Sequence, residues 1–552
     1  MKQHTPLVRN GSILTLVLLL VAGGCASQRQ TERVEDAGVV VSQTPAASRV
    51  GADVLEQGGN AVDAAIATAF ALAVTWPEAG NLGGGGFMLV VEPGDDSPKV
   101  IDYREVAPAA ATVDMYTPGE DRHTPRHVGV PGTVAGLFLA HERHGTRPWR
   151  ELVAPSVALA RDGFEVDDVL ADSINSVLGD GPPAELARVY GKPGGGEWTA
   201  GDRMVLPELA TVLQRIADDG PAGFYEGETA EQVVSFMAET DGIITADDLR
   251  NYASVVRDAT RATFRGYDVW GPPPPSSGGL SVGIALKLLE PFDLEPNTPQ
   301  TYHLMAEALR RAFHYRAAYL GDPDFGATAP TPRVDAIDPE RATPSELLTP
   351  LMEIEPESPS TTHFSVVDAN GMAVANTYTL EESWGSRQIA PGTGVVLNNE
   401  MGDFNWTPGR TTRGGEIGTP ANVIAPGKRP LSSMTPTVVT RDGRLVLVTG
   451  SPGGRTIIST VLCVLVNRLA LDMTPEESVA APRLHHGWLP DALRIEPGLE
   501  RYAEALREMG HRVQVIGRQG SAHSIFVGDG KVVGVADPRR GGVAVAAKRA
   551  RR

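Results

Sequence analysis

Apolar positions alternate with a period of two over residues 363–368 and again over 373–379, and Asp368 to Gly371 between them carry turn chemistry, so a β-hairpin is expected there. From 46 to about 74 the apolar spacing is helical, broken at GGN (58–60), where Gly58 and Gly59 can end one helix and Asn60 can cap the next. GNLGGGGFMLVVE (80–92) passes from loop to strand, and 259–273 reads as paired strands ending in a proline-rich loop. Helical spacing predicts further helices from Thr133, as N-cap, to about 143, and over 150–161, 207–218, 228–239, 245–251, 279–290 and 300–318. A stretch rich in Pro, Thr and Glu follows from 321 to 360 with weak periodicity, which suits an exposed loop. Beyond it strands are expected at 395–398, 435–440, 444–449, 512–516, 522–527 and 531–535, and helices at 455–470, 475–481 and 498–509. RDGR (441–444) and DG (529–530) supply hairpin turns. Helices and antiparallel strands mixed in this way predict a layered α/β (α+β) sandwich.

The chain has 552 residues, 41% hydrophobic and 21% charged, as in ordinary globular proteins. Its net charge of −19 argues against general nucleic-acid binding, which needs clustered Lys and Arg; the short KRARR end (548–552) reads as a solvated terminus. Lys2 and Arg9 precede an apolar run from Ile13 to Ala22, too short to span a bilayer but suited to a signal-peptide core. Small residues directly before Cys25 resemble a lipoprotein processing site, although Ala22 departs from the Leu such sites usually carry. The expectation is an exported protein of the periplasm or cell envelope, with leader 1–24, lipidation at Cys25 and a polar tether over 25–45. Cys463 lies in an apolar run and reads as a small buried residue, with no disulfide partner once Cys25 is removed or lipidated.

Thr361 opens the predicted hairpin directly after the loop-like EPESPS (355–360). A cut between Ser360 and Thr361 would give one residue both a hydroxyl and a free amine, the pairing by which an N-terminal threonine acts as nucleophile with its own base. The new amine, with a pKa of roughly 8, is matched to general-base work.

TTHFSVVDANGMAVANTYT (361–379) resembles the start of the small subunit of the γ-glutamyltransferases (γ-glutamyltranspeptidases), self-processing N-terminal-nucleophile hydrolases. The resemblance continues through GNLGGGGFM (80–88), IDYREVAPA (101–109), GVPGTVAGL (129–137), PPPSSGGL (273–280) and YLGDPDF (319–325). After the hairpin it runs through LNNEMGDF (397–404), KRPLSSMTPT (428–437), TGSPGGRTI (449–457) and APRLHHGWLP (481–490), in the family's order. It implies a four-layer αββα sandwich built from two chains after self-cleavage, a large subunit 46–360 and a small, catalytic subunit 361–552 paired as a heterodimer. It also implies transfer of a γ-glutamyl group from glutathione and related donors, through a γ-glutamyl ester on Thr361, to water or to an amino acid or peptide acceptor.

The same resemblance assigns roles residue by residue. Thr379 matches the threonine that positions the nucleophile, and Gly453 and Gly454 match the oxyanion hole. Arg104 matches the arginine that grips the donor's α-carboxylate, with Ser432 and Ser433 as hydroxyl donors to the same group. Glu400 and Asp403 match the acidic pair that receives the ammonium. At 381, where many members carry Asn, this chain has Glu, a third carboxylate for the same ammonium; at 402 it has Gly where an acidic residue is common. The Gly, Thr and Arg-rich segment 405–427 could be a lid over the pocket or a plain surface loop. His485 and His486 read as structural, GNLGGGG reads as tight backbone packing and not a phosphate cradle, and no metal or organic cofactor is expected. The rival readings are a cephalosporin (glutaryl-type) acylase on the same fold, which the acidic residues disfavour because glutaryl has no amine, and a catalytically inert envelope lipoprotein.

Overall fold

The computed structural model describes residue 1 and residues 30–327, 331, 337–343, 361–406 and 420–547, apart from 36 and 118. The leader, Cys25, Ser360, most of the 405–427 segment and the KRARR end lie outside the described residues.

Among the described residues, fourteen strands form the two large antiparallel sheets, seven in each, beside two small sheets. In chain order they are β1 Thr31–Glu35, β2 Val39–Ser42, β3 Gly85–Val91, β4 Lys99–Asp102, β5 Val255–Asp258, β6 Thr260–Phe264 and β7 Tyr267–Gly271. They continue as β8 Thr362–Val367, β9 Ala373–Thr379, β10 Thr437–Arg441, β11 Arg444–Thr449, β12 Ser524–Gly528, β13 Lys531–Val535 and β14 Val543–Ala546. One sheet runs β14-β2-β8-β9-β3-β4-β5 and the other β1-β13-β12-β11-β10-β7-β6. The predicted hairpin is β8–β9, paired from Thr362 with Tyr378 to Val367 with Ala373.

Strand parity decides what each face packs against. Phe364, Val366, Val374 and Tyr378 join a core with α1 Pro45–Glu56 and α2 Ala61–Thr75. Val367, Ala373 and Ala375 face the other way and pack with Trp270, Val438, Val448 and Ile525 of the second sheet. The outer face of that second sheet contributes Phe264, Val439 and Leu447 to a core with α3 Gly278–Leu289, α4 Pro299–Tyr319 and α5 Thr456–Leu469. Every residue of α2 is buried, and its start is fixed by a capping box in which Asn60 accepts from the Val62 and Asp63 amides.

Several expectations need correction. The segment read as a tether over 25–45 instead contains β1 and β2. Val39, Val40 and Val41 are fully buried because β2 lies between β14 and β8, and a strand covered on both faces reads as a continuous apolar run. The helix at 133 is Thr133–His144 with Gly132 as N-cap, and the Thr133 hydroxyl donates to Asn81 Oδ1 (2.7 Å). Residues 395–398 form only isolated bridges, Ile389 to Val396 and Gly83 to Leu397. The helix expected over 498–509 is a 3₁₀ turn, Glu500–Tyr502, followed by the short helix Ala503–Glu508. Among the described residues no helix is long and apolar enough to cross a membrane.

Candidate active site

Thr361 precedes β8 by one residue, so parity aims its side chain with His363 and Ser365 toward the facing sheet. Thr379 ends β9 on the same face, and the register of the hairpin sets it opposite Thr361. The Thr361 hydroxyl donates to Thr379 Oγ1 (3.2 Å), which also accepts from the Glu381 amide (2.9 Å). Thr361 is 6% exposed and Thr379 3%, so the pair sits at the floor of the site and not on open surface.

The glycine run holds this pair from below. Asn81 Nδ2 donates to the Thr379 carbonyl (2.9 Å), and Asn81 Oδ1 accepts from the Gly84 amide (2.9 Å). A Cβ on Gly84 would stand 2.1 Å from the Thr379 carbonyl oxygen and one on Gly85 2.4 Å from that of Tyr103, which only glycine permits. Tight packing, expected for this run, is what the geometry shows. Asn81, missed by the sequence reading, was detectable only as the polar residue that opens it.

A buried charge cluster reaches the threonines through Glu381, whose amide donates to Thr379 Oγ1 and on whose side chain Asp403 and Arg104 act. Arg104 leaves the end of β4, its amide donating to Asp102 Oδ1 (3.0 Å). Its guanidinium pairs with Glu400, with Asp403 (2.5 Å) and with its neighbour Glu105 (3.5 Å), and runs along the Pro430 carbonyl (Nε, 3.3 Å). The structure therefore joins Arg104, Glu400 and Asp403 directly, where the resemblance gave them separate halves of a ligand. Glu400 sits on the 3₁₀ turn Glu400–Asp403, held by Asn398 Oδ1, which accepts from the Glu400 amide (3.0 Å). Asn399 Oδ1 accepts from the Glu382 amide (3.1 Å), tying this turn to the residues that follow Thr379. Glu381 adopts φ +81°, a left-handed conformation unfavourable for Glu, and Trp384 and Arg387 in the same loop are also left-handed.

Among the described residues, carboxyl groups outnumber cations here. Glu105, Glu381, Glu400 and Asp403 are set around Arg104, with Arg122 as a further cation acting on Glu381. Burial pushes Glu105 up to about 7 despite Arg104. Burial also raises Glu400 well above the carboxylate range, with Arg104 opposing and Glu105, Asp403 and Glu381 reinforcing it. Glu381 is raised likewise, first by burial and then by Glu382 and Asp403. Burial works against the charge of Arg104, but Glu400, Asp403 and Glu105 outweigh it and raise its pKa. Glu105 Oε1, Glu381 Oε2 and Glu400 Oε2 are buried without a hydrogen-bond donor among the described residues. Such a set is costly unless a cation fills it. Gly402 makes room for Arg122, whose Cδ would lie 3.2 Å from an added Cβ.

Ser432 and Ser433 lie on the loop that carries the Pro430 carbonyl. Ser432 Oγ accepts from the Met434 amide (3.1 Å) and Ser433 Oγ accepts from Arg316 Nη2 (2.8 Å). The loop is anchored through Asp322 of YLGDPDF, whose Oδ2 accepts from the Arg429 amide (2.8 Å). Gly453 and Gly454 stand between β11 and α5 at φ +130° and +54°. This loop starts against β8, since a Cβ on Gly450 would meet the His363 ring at 2.4 Å. The Gly453 carbonyl accepts from Thr456, and neither Gly453 nor Gly454 donates its amide to an acceptor among the described residues. His485 Nδ1 bonds Ser459 Oγ (2.7 Å) and His486 contacts Asp491 (3.4 Å), both buried and held within the protein.

A family model described as Gamma-glutamyltranspeptidase matches residues 47–547. The chain is 44% identical over 524 residues to the glutathione hydrolase proenzyme of Escherichia coli, covering 91% of this chain and 90% of that protein. It is 41% identical over 559 residues to the glutathione hydrolase proenzyme of Pseudomonas aeruginosa, covering 96% and 98%. Among solved structures, a cephalosporin acylase from Bacillus halodurans superposes with a TM-score of 0.79 at 25% identity over 94% of this chain and 97% of that one. The γ-glutamyltranspeptidase of Helicobacter pylori gives 0.50 at 36% identity over 51% and 84%.

Proposed function

The chain belongs to the gamma-glutamyltranspeptidase family, and from that premise we propose that it is a self-processing γ-glutamyltransferase and glutathione hydrolase. Its fold is the four-layer αββα sandwich of the N-terminal-nucleophile hydrolases. The Thr361 hydroxyl attacks the Ser360 carbonyl, the Thr361 nitrogen leaves as an amine, and water hydrolyses the resulting ester. Large (46–360) and small (361–552) subunits remain paired as a heterodimer. In the mature site the Thr361 hydroxyl gives its proton to its own amine and adds to the donor's γ-carbonyl. The anion that forms is met by the Gly453 and Gly454 amides, and the proton passes to the departing amine. Water or an acceptor amine then releases the γ-glutamyl group from the ester.

The observation that carries this reading is the surplus, among the described residues, of buried carboxyl groups around Arg104, near a threonine hydroxyl held by Thr379. A zwitterionic α-carbon can enter the Arg104–Glu400–Asp403 ion pair and replace both halves, its carboxylate on Arg104 and its ammonium on the acids. A glutaryl donor would take Arg104 and strand the acids, which disfavours the acylase reading despite the superposition with an acylase. We assign the leader 1–24, with Cys25 as the lipidated residue, to export into the cell envelope. The test is electrophoresis and N-terminal sequencing of purified protein, with release of aniline from a γ-glutamyl anilide. Two fragments are expected, the smaller starting Thr-Thr-His-Phe, and Thr361→Ala should stay one inactive polypeptide. An uncut wild-type chain with full activity would refute the mechanism.

A further inference from the structure

The PPPSSGGL segment and the long helix α4 have no part in the chemistry above, yet they meet at the serine pair. Ser277 grips the loop of Ser432 twice, its amide (2.8 Å) and its hydroxyl (2.6 Å) both donating to the Ser432 carbonyl. Ser276 Oγ donates to the Met434 carbonyl (2.6 Å) on the other side of the pair. Between these segments lies the buried guanidinium of Arg316, from the last turn of α4. Its Nε donates to Ser277 Oγ (2.7 Å) and its Nη2 to Ser433 Oγ (2.8 Å).

Hydrogen accounting gives this contact a direction. Arginine only donates, so Ser433 Oγ must accept from it, and the one hydroxyl hydrogen of Ser433 points elsewhere. Ser277 spends its own hydrogen on the Ser432 carbonyl, whereas no described residue accepts the Ser433 hydrogen. A hydroxyl whose lone pair is held by a cation is also a more polarised donor. We propose that Arg316 is a positioning residue for the donor's α-carboxylate: acting through Ser433, and braced by Ser277, it turns that hydroxyl into a fixed, strengthened donor toward the carboxylate. The proposal rests on the γ-glutamyl transfer reading and adds to it a residue that does not touch the substrate.

Because the carboxylate is held equally in ground and transition states, the effect falls on KM. With a γ-glutamyl anilide, Arg316→Gln should raise KM roughly tenfold while changing kcat less than about threefold, and Arg316→Lys should recover part of that loss. Ser433→Ala alone should cost roughly tenfold in KM, but less than about threefold in the Arg316→Gln background, since one line of contact is being cut twice. With the same anilide carrying an α-carboxamide, Arg316→Gln should change KM less than about twofold. Should Arg316→Gln fail to mature into two fragments, Ser277→Ala, which removes one anchor of the guanidinium, takes its place in the same comparison of donors. Equal losses on both donors, or full additivity with Ser433→Ala, would overturn the proposal alone. Wild-type protein inert toward the γ-glutamyl anilide would overturn the transfer reading and this inference together.

Discussion

Glu381→Gln tests the electrostatic logic of the site with little steric change. The buried Glu381 Oε2 has no donor among the described residues, while the Glu381 amide anchors Thr379. Losing one charge-assisted hydrogen bond to an ammonium removes about 1.5–3 kcal/mol, or roughly ten- to a hundredfold in binding. Two features of the site pull toward the lower end. The carboxyl must shed a proton to receive the ammonium, because burial, Glu382 and Asp403 raise its pKa. Its removal also relieves repulsion with those neighbours. The expected loss in kcat/KM for a γ-glutamyl anilide is therefore about tenfold. A glutaryl anilide brings no ammonium and leaves this carboxyl protonated, so its kcat/KM should change less than about twofold. The preference between the two donors should thus fall about tenfold, measured as a ratio of kcat/KM at one pH. In wild type, KM for the γ-glutamyl donor should fall as pH rises and the acids ionise, and this slope should flatten in the variant. An unchanged ratio, or equal losses on both donors, would rule out Glu381 as an acceptor of the donor's ammonium.

Thr379→Val removes the hydroxyl that accepts from Thr361 and from the Glu381 amide; kcat should drop at least about tenfold, with Thr379→Ser restoring most of it, as single-turnover rates would register. Gly84→Ala drives a methyl into the Thr379 carbonyl at 2.1 Å, so β3 and β9 must part; precursor cleavage, followed on a gel, should slow by more than about tenfold. Glu105 has its pKa raised to about 7 from 4.5, so its contribution is fully present below about pH 4.5 and lost as pH rises through 7, by about 3 kcal/mol. Wild type should accordingly lose more thermal stability than Glu105→Gln between about pH 5 and 7.5, and parallel pH profiles would sink the assignment.

The hairpin β8–β9 was readable because both strands alternate and a turn separates them, and long helices such as α2 and α4 were readable from their spacing. Strands β1, β2, β4, β5 and β14 were not foreseen. Each has four or five residues, and the buried β2 lacks the alternation that marks a half-exposed strand. At the site, resemblance supplied Arg104, Glu400, Asp403, Ser432 and Ser433, but not the direct pairing of Arg104 with Glu400 and Asp403. Glu105 stood beside Arg104 in DYRE and could have been counted as a fourth acid. Arg316 and Asn81 act through contacts with residues distant in sequence, Ser433 and Thr379, and nothing local announces them.

The hairpin that starts at Thr361 is flanked by β2 on one side and β3 on the other, and in the second sheet β10 pairs with β7 while β13 pairs with β1. Pieces from before and after residue 360 are thus shuffled together in both sheets, and a nick at that point frees neither of them. The uncut chain can regain its shape by a first-order process at any dilution. The nicked enzyme, once unravelled, would need its halves to find each other, so recovery from denaturant should depend on protein concentration after maturation and not before. Scission would make this fold a one-way assembly: robust while intact, and slow to rebuild when dilute.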